Sequence, residues 1–599
     1  MGRSGRWLLS VGIAVLLLSG LGAVIAHGQG PEQPWLVRLS HCDEATLGHL
    51  VRSGVRVLYW RGTQAVALAG ARERAVLAAA GLEPEVLSRQ PPQGDYYLFE
   101  APAERAALLA ERYGPLVAVG PGQYLAALPP EALVGLPFAW RLPERLVAPQ
   151  PAPPAPAAPQ ASPRQLPSLV DSVSATRLAE HVAQLQDDDD HPGADALRSR
   201  YSMVPGLDAE AAYIAAQLRS AGLEVSYFPF TAVDYGLQVS RIVSNVIGTL
   251  PGARPEGEGF YIVCAHYDST ASGNRDRWPA EWRTLPAPGA DDNASGVAGV
   301  LEAARVLASQ PLAYGVRFVF FAGEEQGLQG SRAYAGALRA EGARLLGVIN
   351  LDMVAYDSDG DGRFQLHAGS AAASQALGAA LARNAGRYAP ALRPQVLTDT
   401  ATNRSDHAPF WVEGYPAVLV IEDFGRDSTP YYHTMSDTLS TLHLAYCTDL
   451  VRATVATAAE LAQVLGPDLS ASSKVARLES PLPATVAYTV TLANSGQATA
   501  HAVLSDALAP GLVPYGAPRA SSGQAGWDLP GRTLHWQGEI APQDRVTIAF
   551  RALIDPGQAA GLRIPNVARV DDGTGRLYEL SADVRSPWRW ALPVLTWEG

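Results

Sequence analysis

Five short stretches of this chain set histidine and acidic side chains where they could hold metal. In chain order they are His266-Tyr267-Asp268, Asp291-Asp292, Glu324-Glu325, Asp352 and His433. Imidazole and carboxylate are the donors that zinc takes at catalytic sites. Residues two apart on an extended strand project to the same side, so Asp268 is placed to hold the second ring nitrogen of His266, fixing its tautomer and raising its basicity. Glu324 and Glu325 are adjacent and point differently, so one binds metal while the other stays free as a base. Each piece has an ordinary reading when taken alone. His-x-Asp is a common structural pair, paired glutamates are usually solvated, and Asp-Asp before a helix is a cap that contributes about 1 kcal/mol. Five such pieces at related places in one domain point to metal chemistry.

Those places are set by the elements around them. The runs at 261–265 (YIVCA), 316–322 (VRFVFFA), 345–351 (LLGVINL) and 416–422 (PAVLVIE) are apolar without alternation. Strands buried on both faces of a helix-covered sheet read this way. His266, Glu324-Glu325 and Asp352 follow the ends of three of these runs, and His433 lies in the loop after the fourth. The carboxyl ends of such strands line the crevice where open α/β sheets bind ligands. The segment 294–309 places Val297, Val300, Leu301 and Ala304 on one helical face, with Asp291-Asp292 at its start. A helix over 208–221 closes at Gly222, and a last long helix stops at Gly466-Pro467.

In that order, HYDS, PGADDNASG, GEEQGLQGS, NLDM and HTMSDT resemble the co-catalytic di-zinc aminopeptidase family that includes secreted bacterial leucyl aminopeptidases. The resemblance covers about residues 168–466. It implies two zinc ions per chain, with His266 and Asp352 on one, Glu325 and His433 on the other, and Asp292 bridging both. It further implies Glu324 as general base and acid, Asp268 as the partner of His266, and a cis peptide after Asp292. The substrate it implies is the free N-terminus of a peptide or protein. Some secreted members carry a tyrosine where Thr402 stands and a disulfide-forming cysteine where Arg404 stands, so side-chain preference does not transfer. A one-zinc glutaminyl cyclase shares the fold and a HYDS-like segment. It typically has tryptophan before the last ligand histidine, where this chain has Tyr432. A third reading, an adhesion protein with a dead peptidase domain, would show a missing ligand, and none is missing.

The rest of the 599 residues frames that domain. Residues 1–26, with Arg3 and Arg6 before an apolar run ending at Val24 and Ala26, read as a signal peptide. This predicts a secreted or cell-surface protein with no membrane span in the mature chain. Residues 34–147 repeat a strand-helix-strand-strand-helix-strand order, a doubled ferredoxin-like α+β unit that holds no catalytic cluster and is expected to be dispensable for chemistry. A Pro/Ala-rich linker follows over 148–167. The metallopeptidase domain spans 168–467. From 470 to 585 the chain alternates as a β-sandwich does, similar to bacterial surface repeats, which implies a role in surface association. The expected fold is therefore α/β, a mostly parallel mixed sheet with helices on both faces, preceded by the double module and followed by the antiparallel sandwich. A net charge of −13 argues against nucleic acid or anionic membrane as a partner. Cys42, Cys264 and Cys447 are too few for a disulfide scaffold. Asp357, Asp359 and Asp361 match the first half of a calcium loop whose twelfth position is Ala368 rather than glutamate, so a tight acidic turn competes with calcium there. The run Asp187–Asp190 reads as a solvated loop.

Overall fold

A computed structural model describes residues 33–133, 136, 138–142, 146–150, 165–186, 199–481 and 483–587. The signal segment 1–26, most of the Pro/Ala-rich stretch and the run Asp187–Asp190 lie outside the described residues. At the centre is a mixed eight-stranded sheet. Its strands are β1 (Glu224–Asp234), β2 (Val239–Leu250), β3 (Phe260–His266), β4 (Gly315–Phe321), β5 (Leu345–Leu351), β6 (Arg363–His367), β7 (Arg393–Leu397) and β8 (Ala417–Glu422), in the order β7-β6-β8-β5-β3-β4-β2-β1. The middle pairs β4-β3, β3-β5 and β5-β8 are parallel. The pairs β2-β4 and β1-β2 are antiparallel.

The unbroken apolar runs follow from burial on both faces. Along β3, Tyr261, Val263 and Ala265 join one core, and Phe260, Ile262 and Cys264 join another. The first core is covered by α1 (Gly296–Ala308), α3 (Ala372–Tyr388) and α5 (Leu444–Leu461), and the second by α2 (Gln329–Ala340) and α4 (His407–Val412). The helix expected from Ala294 begins at Gly296, because residues 290–295 form an irregular turn in which Asp292 and Asn293 leave helical geometry. The last long helix ends at Leu461, short of Gly466-Pro467.

Two four-stranded antiparallel sheets precede this body. Trp35–Leu39, Arg56–Arg61, Gln64–Ala69 and Glu85–Ser88 form one, and Tyr96–Glu100, Val117–Gly120, Gln123–Ala127 and Phe138–Arg141 form the other. In each, the spatial order is second, third, first, fourth. After residue 470, a four-stranded and a five-stranded antiparallel sheet share one core. Val486, Tyr488, Val490 and Leu492 alternate into that core and are fully buried. Each such side chain contributes on the order of 1.5–3 kcal/mol. The three cysteines are buried and unpaired. No described helix is long and apolar enough to cross a membrane.

Candidate metal centre

The parallel strands end at one edge, and their ends bring the five sequence-marked side chains together. His266 is the last residue of β3, and Asp352 directly follows β5. His266 Nε2 lies 3.2 Å from Asp292 Oδ1 and 3.3 Å from Asp352 Oδ1. His433 Nε2 lies 3.1 Å from Asp292 Oδ2 and 3.1 Å from Glu325 Oε2. Asp292 therefore turns one oxygen to each histidine. His266, Asp292 and Asp352 form one group of metal-competent donors, and Asp292, Glu325 and His433 form a second. Three carboxylates around two imidazoles make a buried, negatively charged place.

Electrostatics follow that balance. Burial alone would raise Asp292, yet hydrogen bonds from His266 and His433 hold its carboxyl well below the usual range. Burial would lower His433, but Glu325 and Asp292 lift it to about 10. Glu325 is pushed up to about 7, chiefly by burial, and its Oε1 has no hydrogen-bond partner. Burial also drives Glu324 well above the ordinary glutamate range, with His266 opposing.

Asp268 sits beside His266, its carboxylate within ion-pair distance of Nδ1 as the spacing predicts, although its main-chain oxygen lies nearer. His266 Nδ1 is 3.1 Å from the main-chain oxygen of Asp268 and 3.6 Å from Oδ1. The carboxylate also accepts the main-chain N–H groups of Glu324 at 3.2 Å and Glu325 at 3.4 Å, and the Ser202 hydroxyl at 2.8 Å. Asp268, two residues past β3, thus fixes the turn after β4, because the two strands are parallel neighbours in register. Asp268 acts as a positioning residue for the glutamate pair.

Several further residues hold the turn that carries Asp292. The Asp292–Asn293 peptide is cis. Asn293 donates to the carbonyl of Leu351 at 2.9 Å and accepts the N–H of Met353 at 3.3 Å, clasping the chain on either side of Asp352. Asp437 accepts the N–H groups of Asp291 and Asp292 at 2.9 and 3.0 Å. Arg200, fully buried, donates to the carbonyls of Tyr267, Leu185, Pro288 and Gly289. Gly289 has φ +51, and a Cβ there would stand 2.3 Å from the Asp292 carbonyl. Sequence reasoning passed over Arg200, Ser202 and Asn293. An arginine that binds only main-chain carbonyls leaves no pattern in the sequence, whereas Asn293 lies inside a quoted motif and could have been weighed.

A small apolar patch adjoins the cluster. Met353, Leu419 and Ile421 are buried together, with Phe424 and Tyr432 packed on them. Tyr432 also stacks on the His433 ring at 3.7 Å. The Thr402 main-chain N–H donates to His367 Nδ1 at 2.8 Å, and its hydroxyl accepts the Arg404 N–H at 3.3 Å. Arg404 lies 3.8 Å from Glu100 of the N-terminal sheets.

Residues 245–458 match Peptidase family M28. That M28 match contains all five donors and Glu324. A probable leucine aminopeptidase of Trichophyton verrucosum is 34% identical over 204 residues, covering 33% of this chain and 52% of the relative. Leucine aminopeptidase 1 of Trichophyton equinum is 31% identical over 246 residues, covering 39% and 63%. The chain thus spans between about half and two thirds of the length of these curated relatives. Among solved structures, the LapA aminopeptidase of Legionella pneumophila aligns with a TM-score of 0.45 at 17% identity, covering 62% of this chain and 99% of that one.

Proposed function

We propose that this chain is a secreted zinc aminopeptidase that removes the N-terminal residue of peptides at a two-metal centre. The observation that carries the reading is the shared carboxylate of Asp292, one oxygen toward His266 and the other toward His433. The donor set fits zinc. It is all imidazole nitrogen and carboxylate oxygen, and it includes a buried glutamate oxygen without a partner, Glu325 Oε1. His266 and Asp352 would hold one ion, Glu325 and His433 the other, and Asp292 both. Zinc bound there would polarise the scissile carbonyl and lower the pKa of a water from about 15.7 to about 7.

The remaining work falls to side chains. Glu324 takes the proton of the attacking water and returns it to the leaving amide nitrogen. Its burial beside Glu325 supports this role, since burial raises its carboxyl from the ordinary glutamate range toward that of a general acid and base. The surplus of carboxylates suits a protonated α-amine. The apolar patch of Met353, Leu419, Ile421, Phe424 and Tyr432, whose members Met353 and Tyr432 adjoin Asp352 and His433 in sequence, supports an apolar first residue. This agrees with the leucine aminopeptidase names of the relatives.

Export rests on the segment 1–26, and surface association on the C-terminal sheets. We read the chain as a doubled N-terminal module, a linker, a peptidase domain and a β-sandwich. Asp357, Asp359 and Asp361 do cluster. Asp361 also pairs with Arg363 at 2.8 Å, and Asp427 accepts the N–H of Ser358 at 2.7 Å, contacts that suit a closed acidic turn.

Leucyl peptides with free and N-acetylated ends, assayed on one preparation, test the reading. The free peptides should be cut and the blocked ones should resist. Equal cleavage would refute it, and ammonia release from glutaminyl peptides without cleavage would favour a cyclase.

A further inference from the structure

A buried lysine stands in the C-terminal sandwich, outside the metal centre. Lys474 lies on the strand Ser473–Pro481 of the four-stranded sheet, while Asp506, on Ala500–Ala507, and Asn566, on Arg563–Asp571, come from the five-stranded sheet. The side chains of Lys474 and Asp506 are fully buried, and Asn566 is 1% exposed. Lys474 Nζ donates to Asp506 Oδ2 at 2.7 Å and to the Asn566 main-chain oxygen at 3.2 Å. Asn566 Nδ2 donates to Asp506 Oδ1 at 2.9 Å. The Asn566 side-chain oxygen accepts the main-chain N–H of Ala509 at 3.1 Å. The Tyr488 and Phe550 rings flank Nζ, with centroids 5.0 and 5.8 Å away.

A buried ion pair is seldom worth its desolvation to a fold, and apolar residues of like size usually do as well. This one also sets an amine and a carboxamide on the two oxygens of one carboxylate, which is the arrangement for joining them. We propose that Lys474 and Asn566 form an autocatalytic isopeptide bond between Nζ and Cγ, with Asp506 as proton shuttle. A proton passes from Nζ to Asp506 Oδ2, and the freed amine pair attacks Cγ. The carbonyl π pair moves to Oδ1, where the Ala509 N–H receives it as an oxyanion donor does. Asp506 delivers its proton to Nδ2, the Cγ–Nδ2 bond breaks, the carbonyl re-forms and ammonia leaves. The surplus proton on the new amide nitrogen departs through Asp506 with the ammonia. In sum, an ammonium and a carboxamide become a secondary amide and an ammonium ion, Asp506 ends as a carboxylate, and no oxidant or cofactor is consumed. Burial among the rings lowers the lysine below its usual range against the pull of Asp506, which favours the neutral nucleophile. The link would bolt the two sheets together across residues 92 apart in sequence. Like other cross-links, it would stabilise by restricting the unfolded chain.

The test is peptide mapping by tandem mass spectrometry of the full-length protein after denaturation and digestion. The expected result is a branched peptide joining the segments around Lys474 and Asn566, lighter than their sum by one ammonia, with no tryptic cleavage after Lys474. The near-isosteric Asp506→Asn variant should yield two linear peptides. Recovery of linear peptides carrying unmodified Lys474 and Asn566 from the wild type would overturn the proposal, whatever the variant does. A branched peptide from Asp506→Asn would overturn the role given to Asp506.

Discussion

Ser405 donates its hydroxyl to Asp352 Oδ2 at 2.5 Å, which leaves Oδ1 free to face His266. Asn350 Nδ2 donates to the same hydroxyl oxygen at 2.7 Å, so the serine is itself aimed from within β5. Ser405→Ala should lower metal affinity on the His266–Asp352 side about 10- to 100-fold. Chelator competition monitored by residual activity, with rescue by excess zinc, checks this. Unchanged affinity would reduce Ser405 to a packing role.

Glu324→Gln keeps the side chain's shape and removes its proton chemistry. The variant should retain its metal and lose about 10²- to 10⁴-fold in kcat. Near-wild-type turnover would remove Glu324 from the reaction.

The N-terminal sheets are packed against the peptidase body. Leu328, three residues beyond Glu325, is 1% exposed and shares a cluster with Leu36, Leu98 and Leu125. Arg61 donates to the carbonyls of Asp399 and Ala401, and the Gly62 N–H donates to Ser370 Oγ. A cleft lined by Leu58, Trp60, Arg61, Ser370, Thr398 and Trp411 runs along this junction. Leu328→Ala should cost on the order of 2–5 kcal/mol in denaturant unfolding. A chain starting near Ser168 should bind metal yet unfold at lower denaturant than the full protein.

Three buried histidines predict acid sensitivity. Burial pulls His181 and His367 down to about 4 and His407 to about 3, from an ordinary 6.5. Their folded-state values are depressed, so protons bind the unfolded chain more readily. The stability they contribute is complete above about pH 6.5 and drains as pH falls toward about 4. Unfolding midpoints on either side of that window should differ, and His181→Gln should remove part of the decline.

The chain order of donors could be read because parallel strands buried on both faces announce themselves as unbroken apolar runs, and side chains beyond their ends must converge. The supports could not be read that way. Arg200 reaches Gly289, and Asp437 reaches Asp291, across 89 and 146 residues, and such partners leave no local spacing. Asp268 shows the limit of local pattern. Period-two geometry places its carboxylate beside His266, but gives no sign that the same carboxylate also accepts two main-chain N–H groups of the neighbouring β4 turn. The helix starts at Gly296 rather than near Ala294 because Asp292 and Asn293, the latter tied to Leu351, leave helical geometry.

Elemental analysis of active, extensively dialysed protein tests the central claim most directly. The shared carboxylate of Asp292 predicts two zinc ions per chain, falling together with activity in Asp292→Ala. One ion or none in fully active protein would contradict it.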